Sequence, residues 1–248
     1  RMHEAADGYR QAIALLEGAG EPRLTANFRG NLALLEHEHR QFDAARGLYQ
    51  QAAVELEECC DARVLGIVLG NWGTLALAAE RRGLGPHGGG REESRADSDS
   101  GSGGETSAST SAGFYTPSIR VASEHRAYSL FSRAHALLEG CGDRRSLGLA
   151  AARLGVVHSL EGRLDDAEAH LTRAERQLRR DPLARLVAAC LRGFLDLARG
   201  VRAAESRNIT TARTAVERAR ARYDAAMSTQ HAGRLALDQS DDLRLYGA

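Results

Sequence analysis

Histidines are the residues of this sequence that could bind a metal, and His37 and His39 lie closest together. Two histidines on one helix share a zinc ion when they are four residues apart, because both rings then lie on one face. His37 and His39 are two residues apart and flank Glu38, so their rings point to different faces. His135 and His158 are single residues on predicted helices, and we expect them to be surface histidines or satisfied core histidines. The sequence therefore predicts no metal site.

Covalent catalysis also lacks its usual sequence signals. All 33 Lys+Arg residues are arginine, which excludes a Schiff-base lysine and a phosphate-loop lysine. No G-x-S-x-G nucleophile elbow occurs in the sequence. No C-x-x-C pair occurs either, and we expect small buried side chains without redox or metal chemistry at Cys59, Cys60, Cys141 and Cys190. The sequence predicts a protein that is not an enzyme and has no cofactor.

Charge and hydropathy limit the classes of partner. Lys+Arg and Asp+Glu are both 33, so no net charge attracts nucleic acid or an anionic membrane. The longest apolar run, from Leu65 to Ala79, is broken by glycines, and we expect it to be too short to span a bilayer. No basic segment followed by an apolar stretch opens the chain. We therefore expect a cytoplasmic protein, and the start at Arg1 predicts a piece of a longer one.

A period of about 40 residues organises the small and aromatic residues. The same small–aromatic–small triplet recurs at Ala5, Tyr9 and Ala12; Ala45, Tyr49 and Ala52; Ala127, Phe131 and Ala134; and, with leucine, at Ala167, Leu171 and Ala174. A fixed period of this length indicates a stacked repeat array, and the spacing within each unit is helical. The sequence predicts an all-α fold, an α-solenoid of antiparallel helix pairs with about nine helices.

Composition divides the array into two halves. Residues 84–120 are rich in glycine and serine, and they cannot bury enough apolar surface to become ordered. We predict a disordered insert there, between repeats at 1–83 and repeats at 121–227. The helix after the insert is predicted to begin near Ala122 or Ser123 and to dock where residue 84 would have continued. Residues 228–248 form a tail that could hold a short terminal helix.

Acidic residues mark the predicted helix starts. Asp43, Asp61, Asp143 and Asp181 each precede a helical run and are predicted N-caps. Gly162 stands in the turn between two helices of one pair. These signals predict short connections, and hence antiparallel neighbours.

One set of residues carries a family resemblance. Leu154, Gly155, Gly162, Ala167, Leu171 and Ala174 together resemble the tetratricopeptide repeat. Leu32, Ala33, Ala45, Tyr49 and Ala52 repeat that pattern, with Arg40 in place of the turn glycine. The period is longer than the family's standard of about 34 residues, and it is similar to long repeats of bacterial regulatory proteins. The resemblance implies a right-handed superhelix with a concave groove.

The resemblance also implies which residues face a ligand. The first helix of each pair lines the groove in this family, and its exposed positions include Gly30, Gly70, Ala152 and Val156. The peptide-binding residues predicted by alignment are Asn27, Asn31, Asn71, Thr74, Arg153 and Arg192. An asparagine amide can pair with the backbone of an extended peptide, and an arginine can bind a carboxylate. The alternative is that these asparagines form hydrogen bonds between helices.

The leading functional hypothesis follows from the resemblance. It implies a scaffold that binds a peptide or protein partner in its groove, as the regulatory part of a larger bacterial signalling protein. A second hypothesis is a self-association or spacer module, because the first helix is unpaired and its stripe of Tyr9, Ala12 and Leu16 needs cover. A small-molecule sensor is the third. None of the three involves nucleic acid or a membrane.

Overall fold

The structure is all-helical over the residues that it describes. A computed structural model describes residues 2–81 and 127–233, and these ranges contain nine helices and no strand. The helices are α1 (Met2–Gly18), α2 (Pro22–Glu38), α3 (Phe42–Glu58), α4 (Ala62–Arg81), α5 (Ala127–Glu139), α6 (Arg144–Leu160), α7 (Leu164–Gln177), α8 (Pro182–Glu205) and α9 (Ile209–Gly233). The predicted all-α fold with about nine helices is confirmed.

Successive helices pack as pairs, in an arrangement consistent with a helical repeat. The closest packing joins α2 to α3, α4 to α5, α6 to α7, and α8 to α9. The helix α1 packs against α2 and has no earlier helix beside it in the described residues. Neighbouring pairs touch through α3 and α4, α5 and α6, and α7 and α8. Each pair therefore buries its apolar face against its neighbours, as in a repeat array.

Glycines set the distance between the two helices of a pair. A Cβ atom added at Gly73 would lie 2.6 Å from the Phe131 ring, and one added at Gly155 would lie 2.6 Å from Leu171. These large side chains are fully buried, and so is Tyr49 at the equivalent position of α3. One large residue thus fills the space that a glycine leaves on the partner helix. This packing is what the repeated small–aromatic–small triplet predicts.

The two halves of the array join directly. The α5 backbone amide of Ala127 donates to Glu80 Oε1 at 2.9 Å, next to the end of α4. The described helix α5 thus packs on α4. The predicted insert at 84–120 and the predicted helix start near Ala122 lie outside the described residues. At the other end, α9 continues past residue 228 to Gly233, and 234–248 lie outside the description.

Three of the four predicted caps are confirmed. The carboxylates of Asp61, Asp143 and Asp181 each accept from the backbone amide three residues on, at 2.9–3.0 Å. The cap predicted at Asp43 is wrong, because α3 begins at Phe42 and Asp43 lies in its first turn. There the carboxylate does not cap the helix, but its negative charge interacts favourably with the helix dipole.

Each cap also receives an arginine from the preceding pair. Ion pairs of 2.5–2.9 Å join Arg23 to Asp61, Arg63 to Asp143, and Arg145 to Asp181. In every case the arginine lies two residues after the N-cap position of its own helix. These three ion pairs, called the cap ladder below, join each helix pair to the next.

The helix α4 is longer than its apolar run predicted. Its 20 residues are apolar enough, by length and composition, to cross a membrane, whereas we expected the run to be too short. Of the apolar window in this helix, 56% is buried inside the protein against other helices. The central helix of a packed array is also long and apolar, because neighbouring helices bury it.

The cysteines are more exposed than the sequence predicted. Cys190 is buried, Cys59 and Cys141 are half-buried, and Cys60 is exposed, and all four are free thiols. Cys60 lies in a turn with φ 55°, which turns its side chain away from the core. The prediction of small buried residues is therefore correct for Cys190 and wrong for Cys60.

Candidate functional site

The candidate site lies on the first helices of successive pairs. A Cβ atom added at Gly30 in α2 would lie 2.7 Å from Val68 Cγ2 in α4. One added at Gly70 in α4 would lie 3.1 Å from Arg153 Nη1 in α6. The small residues at these equivalent positions therefore bring α2, α4 and α6 side by side. The faces of these helices next to the glycines form a shared surface.

Three asparagines present polar groups on that surface. Asn31 is exposed, and Asn27 and Asn71 are half-buried. Within the described part of the chain, their side-chain amides make no hydrogen bond. Hydrogen bonds from these asparagines to other helices, their alternative role, are therefore not seen among residues 2–81 and 127–233. We call this set of three residues the amide face.

Thr74 and Arg153 lie beneath the surface rather than on it. The Thr74 side chain is 4% exposed, and its hydroxyl donates to the backbone carbonyl of Gly70 at 3.2 Å. Arg153 is 9% exposed, with its guanidinium against α4 at Gly70. Both residues therefore contribute to the joint between α4 and α6. The expectation that four positions are exposed is wrong, since all of them are buried: Gly30, Gly70, Ala152 and Val156.

On α6 the residues that would continue this surface are buried, because α4 and α8 contact each other over that helix. Ala152 and Val156 are fully buried, and Leu77 of α4 belongs to the same core cluster. The guanidinium of Arg81, at the end of α4, lies 5.4 Å from the centroid of the Phe194 ring in α8. A cation over an aromatic face is an attractive contact. Of the predicted binding residues, Asn27, Asn31 and Asn71 on α2 and α4 keep exposed surface, whereas Arg153 on α6 is buried.

Arg192 is held in ion pairs on the other side of α8. It pairs with Glu175 of α7 at 3.0 Å and with Glu168 of the same helix. Burial opposes ionisation of Glu168, but Arg192 and Arg199 outweigh it and lower the pKa of this carboxyl below its usual value. The Arg192 side chain is 15% exposed. It lies on the α7 side of α8 and does not point at the amide face.

The reason is a change of register in α8. The N-caps Glu21 and Asp61 are 40 residues apart, but Asp143 and Asp181 are only 38 apart. A shift of 40 residues, the repeat period, would put Arg192 opposite Ala152. The shift of 38 puts it opposite Leu154, and the matching Leu32 packs against the preceding helix α1. Arg192 therefore faces its own preceding helix, α7.

An open cleft between α1 and α3 was not predicted from the sequence. It has a volume of about 630 Å³, with α2 as its floor and Ile13, Leu32 and Leu48 among its lining residues. Arg29 crosses it and pairs with Glu17 of α1, at 2.5 Å, and with Glu55 of α3. Two arginines, Arg10 and Arg29, and three carboxylates, Glu17, Glu36 and Asp43, line the cleft, so it has no excess of positive charge. The residue in the sequence that could have indicated this cleft is Arg29, a charged residue on the same helical face as Leu32.

Three histidines form a cluster between α5, α6 and α7. His135 and His158 are 8% and 5% exposed, and both lie within about 6 Å, ring to ring, of His170. The expectation of surface or satisfied histidines is wrong, because His135 Nε2 and His158 Nδ1 are buried without a hydrogen-bond partner. No group of three or more His, Cys, Asp or Glu side chains in the described ranges is arranged to hold a metal ion.

No protein-family model matches the sequence, and no curated protein matches it significantly. The function is therefore inferred from the repeat period and from the geometry of the amide face.

Proposed function

We propose that this chain is a protein-interaction scaffold of the tetratricopeptide-repeat type, which binds a peptide or protein segment along the amide face. The observation that carries the proposal is that the amides of Asn27, Asn31 and Asn71 have no hydrogen-bond partner among the residues that the structure describes. Asn31 and Asn71 are 40 residues apart and occupy the same position in successive repeats. Because these amides recur in successive repeats and form no hydrogen bond within the described residues, they can form hydrogen bonds with a ligand.

The spacing of the helices suits an extended peptide. Packed helices lie about 8–10 Å apart, and an extended chain rises about 3.3 Å per residue. A peptide crossing α2 and α4 would therefore meet one asparagine about every third residue. Each amide offers one acceptor and two N–H donors, so it can bind a backbone N–H and C=O together. Affinity would come from the peptide backbone and selectivity from the neighbouring side chains.

The wider assignment rests on the resemblance alone. The proposal includes no catalytic residue, cofactor, nucleic acid or membrane. It places the array in the regulatory part of a larger bacterial signalling protein, in the cytoplasm.

The test is selection of peptides from a phage-displayed random library on the full chain. Recovered peptides are then synthesised, and their Kd is measured by fluorescence anisotropy for the wild type and for the Asn31→Ala/Asn71→Ala double variant. Each lost hydrogen bond is worth about 1 kcal/mol, so the double variant should bind about tenfold to hundredfold more weakly. The matched control is Gln50→Ala, which removes an exposed amide from α3. Peptides that bind all three proteins equally would contradict the proposal.

A second candidate, self-association through α1, is favoured by a specific difference between helices. Ala45, Tyr49, Ala52 and Leu56 of α3 are fully buried, but Ala5 is exposed, and Tyr9, Ala12 and Leu16 are half-buried. The α2 helix covers the adjoining stripe of Ala6 and Ile13. A second copy of this chain could cover the remaining apolar stripe of α1, formed by Ala5, Tyr9, Ala12 and Leu16.

Sedimentation velocity over a hundredfold range of concentration tests the self-association. The Leu16→Glu variant should shift the protein toward monomer, whereas Leu15→Glu, at a position that is 76% exposed, should not. A wild type that stays monomeric throughout would remove this candidate.

A further inference from the structure

The histidine cluster between α5, α6 and α7 is packed as an aromatic core. The rings of His158 and His170 are stacked, with centroids 5.1 Å apart and planes 13° from parallel. His135 stands edge-on to His170 at 6.0 Å, and Tyr128 stands edge-on to His158 at 5.5 Å. Neutral imidazoles can pack in this way, as other aromatic rings do.

The position of His170 is apolar in the equivalent helices. Counted from the first alanine of each triplet, Leu48 of α3 and Leu130 of α5 occupy the place of His170. His170 Nδ1 is buried without a hydrogen-bond partner, as are His158 Nδ1 and His135 Nε2. The array thus has an ionisable ring in α7 where α3 and α5 have leucine. A buried polar atom without a partner costs free energy, so packing alone does not explain the histidine.

The surroundings favour neutral rings. Burial lowers the pKa of His135, and Arg173 lowers it further, against the opposing effect of Glu139. Burial and Arg163 lower the pKa of His158, against Asp166 and Glu161. The pKa of His170 is lowered by burial, by the other two histidines and by Arg173, against Asp166. Tyr128, from α5, and the Arg163 guanidinium above its ring complete the set of facing groups.

We propose that this cluster is an acid-operated joint, in which protonation of His158 and His170 separates α6 from α7. Two positive charges about 5 Å apart repel, and the burial of His158 weakens their screening by water. Asp166, at 4.0 Å from His158 Nδ1 and largely exposed, provides an acceptor for the protonated ring as it turns outward. The joint would respond to proton concentration independently of any ligand on the amide face.

The direction of the pH effect follows from linkage. An ordinary imidazole has a pKa of about 6.5, and the folded rings titrate below that value. The unfolded or opened chain therefore binds more protons as the pH falls below about 6.5. The closed joint has its full stability above that pH and loses it on acidification.

Hydrogen–deuterium exchange at pH 7.5 and pH 5.5, corrected for intrinsic exchange rates, tests the proposal on the wild-type chain. Amides of α6 and α7 should exchange at least tenfold faster at pH 5.5, whereas those of α2 and α3 should change little. An equal change in all helices, or no change in α6 and α7, would overturn the proposal.

The variant His170→Leu introduces the side chain that α3 and α5 carry at this position. It should abolish most of the acid-induced exchange in α6 and α7, and His39→Gln, outside the cluster, should leave it intact. An unchanged acid response in His170→Leu would contradict the proposal. Should that variant fail to fold, a proton NMR titration of the wild-type rings decides. The three cluster histidines should titrate below pH 6.5, and values at or above it would rule the joint out.

Discussion

Arg63 Nε donates a hydrogen bond to Asp143 Oδ2 at 3.0 Å, and Arg63 Nη2 forms an ion pair with the same oxygen at 2.8 Å, across 80 residues of sequence. Asp143 is at the same time the N-cap of α6. One carboxylate thus starts a helix and joins it to the preceding pair. The same relationship holds at Asp61 and Asp181, so the cap ladder repeats a single contact at three joints.

We first predict that the cap contributes more to stability than the ion pair. The Arg63 side chain is 57% exposed, so Arg63→Ala should lower the free energy of unfolding by less than about 1 kcal/mol. Asp143→Ala also removes the bond to the Ser146 amide and should lower it by about 1–2 kcal/mol. Asp143→Ser, which keeps a cap without the charge, should resemble Arg63→Ala. Urea unfolding measures all three, and equal losses for Arg63→Ala and Asp143→Ala would contradict the prediction.

Acid should weaken the cap ladder in a separate pH range. Burial opposes ionisation of Asp61 and Asp143, but backbone and arginine hydrogen bonds outweigh it and lower the pKa of both carboxyls. Their contribution to stability is present above the ordinary aspartate pKa of about 3.9 and is lost as the pH falls further. Urea midpoints between pH 5 and pH 2.5 should fall steeply for the wild type and less steeply for Asp143→Ser. If the urea midpoints of the two proteins fall in parallel with pH, Asp143 does not cause the loss of stability in acid.

The close approach of α4 and α5 predicts a costly glycine substitution. In Gly73→Ala the new methyl would lie 2.6 Å from the Phe131 ring, and moving that ring should cost about 1–3 kcal/mol. Gly47 is also helical, but no atom lies within 4 Å of a Cβ added there. Gly47→Ala should therefore stabilise the protein by about 0.5–1 kcal/mol. Thermal unfolding distinguishes the two, and a similar effect of both would argue against this packing.

The turn at Arg40 should be strained. Its φ of 62° lies in the left-handed region, which costs a residue with a Cβ atom about 1–2 kcal/mol, and Gly162 adopts 76° at the equivalent turn. Arg40→Gly should therefore raise the melting temperature by a few degrees, although glycine gives part of the gain back through a more flexible unfolded chain. Gly162→Ala should lower it. A lower melting temperature for Arg40→Gly would mean that the arginine side chain stabilises the turn.

Deletion of residues 85–116 should leave helicity and melting temperature nearly unchanged. The contacts that join α4 to α5, from Glu80 to Ala127 and from Gly73 to Phe131, involve residues on either side of that segment. Circular dichroism of the shortened chain checks this. A large loss of helix, or a melting temperature lower by more than about 5 °C, would show that the deleted segment packs on the array.

The helices were predictable because local signals agreed with the period. Asp61, Asp143 and Asp181 each cap a helix where the sequence placed a cap, and the buried triplets recur at the predicted spacing. The boundary at Asp43 was wrong because Gln41 is the N-cap of α3 and makes no side-chain cap hydrogen bond that could mark it. Short-range chemistry thus places these helix starts to within two residues, whereas α9 ends at Gly233, beyond the predicted 227.

The candidate site was only partly predictable, because its exposure depends on how the pairs stack. Asn31 and Asn71 were identified from their repeat position alone. The burial of Val156 depends on α4 and α8 meeting across α6, and the ion pairs of Arg192 depend on a two-residue change in spacing before α8. His170 was missed because it matches no metal or catalytic spacing. Only comparison with Leu48 and Leu130 at the same repeat position distinguishes it.

The joint between α4 and α5 has one more consequence. The amide of Ala127, the carboxylate of Glu80 and the buried ring of Phe131 hold these helices together without using the chain that links them. Two separate polypeptides, cut within 84–120, therefore carry complementary halves of a single core. Such fragments should reassemble when mixed, and the protein could serve as a split reporter whose signal depends on bringing the two pieces together.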